Sequence, residues 1–366
     1  MFNDVYRNKK VLITGNTGFK GSWLTTWLLK LGAQVGGYSI STPTVPSIFE
    51  GGGLAGRIEH FVGDVQDLGR FRSVLETFKP DFLFHLAAQP VVSISYQEPL
   101  STIGTNVMGT SIVLEALRVV NPECTAVIIT SDKCYENVEW VWGYRETDPV
   151  GGRDIYSGSK GAAEVIFHAY FHSFFRAKGC RVKIATGRAG NVIGGGDWAK
   201  DRIVADCMRS WSRGESVEIR SPDATRPWQH VLEPLSGYLT LAQHMFETGK
   251  VGGESFNFGP RAEQNHTVLE LLRDLSGYWD FGNPSDAYRV VDSVPFHEAG
   301  LLKLNCDKAL FHLHWEPSLH YSECVRIVSH WYYSYYRKKI DVFGLTSEQI
   351  DEYTDLAKER GRVWTK

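Results

Sequence analysis

Three things are scarce in this 366-residue sequence, and each shortage closes off a class of function. Charge of one sign is the first. Lys+Arg 39 against Asp+Glu 42 gives a formal net charge of −3, so no basic field exists to hold nucleic acid or an anionic membrane. Long apolar runs are the second. No stretch of about 18 uncharged apolar residues occurs, which predicts no membrane span. The opening MFNDVYRNKK lacks an apolar signal core and is expected to run straight into a strand. Paired cysteines are the third. Cys124, Cys134, Cys180, Cys207, Cys306 and Cys324 form no CxxC pair, and a chain this long needs no covalent staples. They read as reduced thiols of a cytoplasmic protein, and no metal site is expected.

What is present suits a globular enzyme. The chain is 43% hydrophobic, which excludes a disordered segment too poor in apolar residues to fold. At roughly 100–200 residues per domain, its length suits two domains, or one with an elaborated lobe. Apolar runs at 10–14 (KVLIT), 33–39, 60–63, 82–86 (FLFHL), 126–130 (AVIIT), 182–186 and 254–258 read as strands. Helical spacing links them: Trp23, Leu24, Trp27, Leu28 and Leu31 on one face, then 68–78, 106–120 and 156–175. Gly32 ends the first helix. Strands that alternate with helices predict a parallel sheet covered on both faces. The fold class is therefore α/β, a Rossmann-type doubly wound parallel sheet with a smaller, interwoven C-terminal substrate lobe. Residues 1–186 are assigned to the dinucleotide-binding domain, with returns near 226–258. Residues 187–225 and 259–366 make most of the second lobe, and the last hundred read as short helices mixed with aromatic segments.

Gly15, Gly18 and Gly21 form a GxxGxxG turn between the first strand and the first helix. There, glycine lets the backbone approach a pyrophosphate at the positive end of the helix. Thr17, Phe19 and Lys20 belong to the same turn. A dinucleotide fold often places an acid about 20 residues on, for the adenosine ribose. Here 35–41 (VGGYSIS) holds neither acid nor arginine, so NAD and NADP are not distinguished, and Ser39 or Ser41 is left to bond the ribose. Asp64 and Val65, after the third strand, are candidates to read the adenine. An aspartate in an ordinary turn is the plainer alternative.

Tyr156 and Lys160 are four residues apart at the start of a helix, one turn apart on one face. A nearby ammonium favours a phenolate, so the tyrosine pKa is expected to fall from about 10 toward neutrality. Such a tyrosine can take a proton from a sugar hydroxyl as hydride leaves the same carbon. Thr130-Ser131-Asp132-Lys133 ends the buried strand AVIIT, at the edge where open α/β sheets bind ligands. Ser131 can bond the same hydroxyl as Tyr156. Asp132 and Lys133 are candidates for a second acid–base step, against the plainer reading of a capped turn and a solvated lysine. Asn191 in GRAGNV (187–192) lies at the same edge. Arg202 and Arg226 suit forked bonds to phosphate oxygens, although a solvated Arg202 competes with that reading. Trp198, Trp228 and Tyr144 read as core before they read as nucleotide-packing groups. His85 reads as a bonded core histidine.

TGNTGFKG (14–21), LAAQ (86–89), TSDK (130–133) and YSGSK (156–160) together resemble the extended short-chain dehydrogenase/reductases, through about residue 260. TGNTGFKGSWL, TSDKCYENVEWVWGYRE, GGRDIYSGSKGAAE and GRAGNVIGGGDWAKDRI further resemble the CDP-glucose 4,6-dehydratase family within them. The resemblance implies a bound NAD regenerated at each turnover, with CDP-glucose as substrate and CDP-4-keto-6-deoxyglucose as product for deoxysugar and surface-polysaccharide synthesis. Leu86, Ala87 and Ala88 would line the cofactor. Gln89 and Asn191 would face the sugar nucleotide, and Arg226 its diphosphate. Tyr156 would take the C4 hydroxyl proton, Lys160 would bond the nicotinamide ribose, and Asp132 would protonate the departing C6 hydroxyl. Lys133 replaces the glutamate of dTDP-glucose dehydratases. It is either the C5 base, if its pKa drops well below about 10.4, or an electrostatic stabiliser of the enolate. A homodimer or higher homo-oligomer is expected, through helices that include the one carrying Tyr156. Two other readings compete. A C4 epimerase or another nucleotide-sugar dehydratase shares the oxidation step, but an epimerase needs no C5/C6 acid–base pair. An NAD-binding regulatory protein would keep the glycine turn without the reactive residues, all of which are present here.

Overall fold

Val11 and Ile13 enter one hydrophobic core while Leu12, between them, enters another. The same split separates Phe82 and Phe84 from Leu83, and Val127 and Ile129 from Ala126 and Ile128. Successive side chains of a strand point to opposite faces, so a sheet buried on both faces needs apolar residues at every position. That is why these strands show no polar alternation. The computed structural model describes residues 1–291 and 301–366. Its main sheet has β1 (Lys10–Thr14), β2 (Gln34–Ser39), β3 (Glu59–Val62), β4 (Phe82–His85), β5 (Thr125–Ile129), β6 (Lys183–Arg188) and β7 (Ser255–Asn257). They lie in the order β7-β6-β5-β4-β1-β2-β3, and every pairing is parallel. The chain winds outward through β3, then returns to the other side of β1. This reversal opens a crevice beyond the C-terminal ends of β1 and β4.

Helices α1 (Phe19–Lys30), α2 (Leu68–Phe78), α3 (Gly109–Val120), α4 (Ile155–Tyr170), α5 (Ile203–Ser212), α6 (Leu232–Thr248), α7 (Tyr321–Arg337) and α8 (Val342–Glu359) complete the layers. Residues of α2, α3 and α4 fill the core on one face. On the other face α1 and α6 share a single core with α7 and α8, so the C-terminal helices are woven into the sheet layer. Phe2 stacks on Trp364 at 5.3 Å, which brings the two ends of the chain together.

Several local expectations need correction. Helix α1 is not one-sided: Gly21 through Leu28 are all buried, because α8 and α6 cover its outer side. The last hundred residues do contain short helices, Val268–Ser276 and Asp307–Leu313, but also two long ones of 17 and 18 residues that were not expected. Burial of Trp331, Tyr332 and Tyr353 overrides the modest helix propensity of aromatics. The first residues do not lead straight into β1: Phe2, Asn3 and Asp4 make a left-handed turn with φ of 52, 50 and 57°. Residues 104–108 and 171–175 wind as π turns at the ends of the expected helices. The helical stretch Pro99–Val120 is long and apolar enough, by composition, to cross a membrane. Here it packs as a core helix, with Val113, Leu114, Ala116 and Leu117 buried.

Candidate active site

Steric necessity builds the turn after β1. Gly15 has φ +74°, and a Cβ there would lie 2.7 Å from the Ala87 amide nitrogen. A Cβ on Gly21 would lie 2.1 Å from the Gly15 carbonyl oxygen. Gly18 differs. Its Cβ position meets only the Gly15 oxygen, at 3.4 Å, and it begins α1 with no side chain capping the helix. A bare helix start, with backbone amides lacking intrahelical partners, is what a pyrophosphate binds. Buried Asn16 also keeps its Nδ2 without a partner at this turn. The residues therefore fit a dinucleotide. Thr17 Oγ1 donates to the Ser41 carbonyl at 2.7 Å, and Ser39 Oγ donates to Asn16 Oδ1 at 2.6 Å while accepting from the Thr17 amide at 3.4 Å. Ser39 thus pins the turn and keeps one lone pair for a ribose. Phe19 packs where a Cβ on Gly194 would fall, 3.0 Å from its ring.

Across the crevice, the amides of Leu86 and Ala87 donate to the Thr14 carbonyl (3.1 Å) and hydroxyl (3.2 Å). Thr14 Oγ1 also bonds His85 Nδ1 at 2.7 Å, so His85 is a bonded core histidine. Ala88 is half-buried beside them. Asp64 Oδ1 accepts the Gln66 amide at 2.9 Å, the ordinary turn role of aspartate, and Val65 is buried against the start of α3. Both amide hydrogens of Gln89 go to its own loop and to Thr102, and its Oε1 accepts the Val91 amide. One lone pair of Gln89 remains for a ligand, so its main work is to build the loop.

Asp154 caps α4, accepting the Ser157 amide at 2.9 Å, and the first turns of the helix carry Tyr156 and Lys160. Both side chains are buried. The expected fall in the Tyr156 pKa does not occur. Burial pushes it up to about 12 and Asp132 adds to the rise, while the hydrogen bond with Ser131 and the charge of Arg202 pull it down. Lys160 is not one of the largest influences on it. Burial lowers Lys160 itself to about 8, with Cys134 and Glu164 opposing. Lys20 is likewise lowered to about 8 by burial and by Arg202, with Asp132 opposing. The two lysines of the site are therefore weakened by desolvation, and Arg202 is the cation that favours the phenolate.

Ser131 Oγ donates to Asp132 Oδ1 at 2.9 Å and accepts the Lys133 amide at 3.2 Å. Asn191 Nδ2 reaches Asp132 Oδ2 at 3.5 Å. A Cβ on Gly190 would lie 2.0 Å from the Asp132 carboxyl carbon, so glycine at 190 makes room for the acid. The loops after β5 and β6 thus meet at Asp132. Lys133 is half-buried and makes no ion pair among the described residues. Arg202 is not a solvated surface residue: it pairs with Asp197 at 3.0 Å. Arg226 sits in a two-residue strand that pairs antiparallel with His266–Thr267. Trp198, Trp228 and Tyr144 are all core, Tyr144 stacking on Tyr135 at 5.2 Å. A cavity of about 10 Å³, the size of one water, lies against Asp132, Asn191, Gln229 and Lys303. Sequence reasoning missed Gln229, Lys303 and Asp197. Asp197 stands inside GRAGNVIGGGDWAKDRI and Gln229 lies three residues beyond Arg226, whereas nothing local marks Lys303.

A doubly wound parallel sheet, a glycine cradle at its switch point and a Tyr-Lys helix beside a buried acid define a dinucleotide-dependent enzyme of the extended short-chain dehydrogenase/reductase type. The chain matches the GDP-mannose 4,6 dehydratase family over residues 12–328, and it belongs to that family. It is 45% identical over 352 residues to the CDP-glucose 4,6-dehydratase of Salmonella typhimurium, covering 95% of this chain and 97% of the relative. It is 25% identical to the CDP-paratose 2-epimerase of Salmonella typhi, over 74% of this chain and 84% of that protein. In fold it resembles the dTDP-glucose 4,6-dehydratase of Bacillus anthracis solved with NAD, with a TM-score of 0.73, 19% identity, and coverage of 88% and 96% of the two chains.

Proposed function

We propose that this enzyme dehydrates CDP-glucose to CDP-4-keto-6-deoxyglucose, with NAD as a cofactor regenerated in each turnover. One joint observation carries the reading: a near-full-length relative of that activity, and a buried aspartate standing one hydrogen bond from the serine beside Tyr156. When bound, NAD+ supplies the hydride acceptor for C4, the donor that returns hydride to C6, and a positively charged ring. Ser131 holds the C4 oxygen and Tyr156 receives its proton. Since burial keeps the phenol protonated, it becomes a base only where positive charge offsets that burial. Asp132 delivers a proton to the C6 hydroxyl as it departs. Lys133 takes the C5 proton or steadies the enolate; if Lys133→Ala lost water from a bound 4-keto sugar at the wild-type rate, neither role would survive. Asn191, Arg202 and Arg226 grip the sugar nucleotide and its diphosphate.

Residues 1–186 and 226–258 are assigned to the cofactor side, and most of 187–225 and 259–366 to the sugar nucleotide. Exposed Leu100, Ile103, Met108, Ile155 and Val165, on the two neighbouring helical stretches, support a homodimer through them. Six unpaired cysteines support a cytoplasmic location. The test is to incubate the protein with catalytic NAD and CDP-, dTDP-, GDP- or UDP-hexoses, and to follow mass. Loss of one water from CDP-glucose alone is expected. An unchanged mass with a new C4 isomer would identify an epimerase instead.

A further inference from the structure

Tyr156, Lys160 and Glu164 recur every fourth residue and so share one face of α4. The first two face the reaction; the third is sealed beneath it. Glu164 and its partner Arg188 are 0% and 1% exposed, with Nη2 and Oε2 2.8 Å apart. The two carboxylate oxygens divide their partners. Oε2 accepts from Arg188 and Thr186 of β6 and from Ser255 of β7, the two hydroxyls at 3.1 and 2.9 Å. Oε1 accepts from Thr130 Oγ1 at 2.5 Å. Thr130 immediately precedes Ser131 and Asp132. Its amide bonds the Gly187 carbonyl and the Asp132 amide bonds the Ala189 carbonyl, so the backbone of this turn is tied to β6 and not to α4. Apart from the contact between Ser131 and Tyr156, the Thr130–Glu164 bond is the direct side-chain hydrogen bond from this turn to the helix among the described residues.

We propose that Glu164 is a positioning residue, a buried strut that sets the Ser131–Asp132 turn against Tyr156 through Thr130. Arg188 keeps the carboxylate ionised, and a charge-assisted bond is shorter and stiffer than a neutral one. A misplacement of the turn by about 1 Å is enough to cost on the order of 10²-fold in rate. This inference rests on the proposed reaction for its kinetic readout, but not for its spectroscopic one.

Thr130→Val removes the strut and leaves the Glu164–Arg188 pair. Ser255→Ala, the matched perturbation, removes a bond to the other oxygen. In the holoenzyme, Thr130→Val is expected to lower kcat on the order of 10²-fold with KM within about twofold, and Ser255→Ala to lower kcat by about twofold at most. Thr130→Ser restores the rate. Tyr156 labelled with ¹³C and followed by NMR is expected to titrate at higher pH in Thr130→Val, because the Ser131 bond that lowers it is weakened. Equal losses in Thr130→Val and Ser255→Ala with an unmoved Tyr156, or a wild-type kcat in Thr130→Val, would overturn the proposal. Should Thr130→Val not fold, Glu164→Asp shortens the strut, keeps the charge and is judged by the same criteria. A wild-type protein inert toward CDP-glucose would sink the proposed reaction, while the Tyr156 titration would still decide the strut.

Discussion

Glu164 and Glu233 are both buried carboxylates on helices flanking the sheet, and their surroundings drive them in opposite directions. Burial pushes Glu164 upward, but the charge of Arg188 and its hydrogen bonds outweigh burial and hold it at about 2. Burial also pushes Glu233 upward, and there it wins, at about 7. Its partners are neutral: the Ser318 amide at 2.9 Å, the Leu319 amide at 2.6 Å and the Tyr353 hydroxyl at 2.8 Å. Arg362 pulls it down less than these hydrogen bonds do. Glu164 braces the reactive helix with a charge that does not titrate near neutrality. Glu233 clamps residues 318–319 and α8 onto α6 with a charge that does. The difference teaches that a buried acid is fixed by its cation and not by its depth.

The sharpest way to separate the two regions is rate. Tyr156→Phe is expected to lower kcat by about 10²–10⁴-fold, with thermal unfolding close to wild type. Arg188→Met should next cost about 3–5 kcal/mol in urea unfolding, because it leaves a buried carboxylate uncompensated. A smaller loss would mean that the hydroxyls, not the arginine, hold Glu164. The pH dependence of stability should then run oppositely at the two sites. Glu164, depressed when folded, contributes stability above its unfolded pKa that is lost as pH falls through the folded value near 2. Glu233, raised when folded, contributes stability below about 4.5 that is lost as pH rises toward 7. The stability of wild type relative to Glu233→Gln should therefore fall by about 3 kcal/mol between pH 4.5 and 7. A flat difference would break the comparison. Smallest of all, Tyr353→Phe should cost about 1–2 kcal/mol through loss of the hydroxyl's bonds to Glu233 and Ser236 and leave turnover intact. If turnover fell with it, the clamp and the reaction would be coupled.

Much of this molecule is legible in short stretches of chain. The strands of the sheet declared themselves because a parallel sheet buried on both faces needs uninterrupted apolar runs. The cradle was readable because Gly15 and Gly21 occupy positions where any Cβ would strike backbone. Tyr156 and Lys160 were readable because helical spacing puts them on one face. Other features were not readable locally. Nothing local shows that the Gln89 amide also builds its own loop through Val91 and Thr102. The long C-terminal helices were hidden by aromatics that only their burial justifies, Tyr353 of α8 against Trp27 of α1, and Trp331 and Tyr332 of α7 against Trp198.

Periodicity, turn chemistry and the order of motifs belong to neighbours along the chain, so the sequence alone determined the α/β architecture, the glycine turn after β1 and the residues proposed to react. Protonation belongs to neighbours in space. Ser131, Asp132 and Arg202 set the Tyr156 phenol from distant segments, and Arg188, 24 residues beyond Glu164, decides that Glu164 stays charged while Glu233 does not. Those outcomes were left to the tertiary structure because desolvation and Coulomb forces act through distance and dielectric, which no local pattern of residues records.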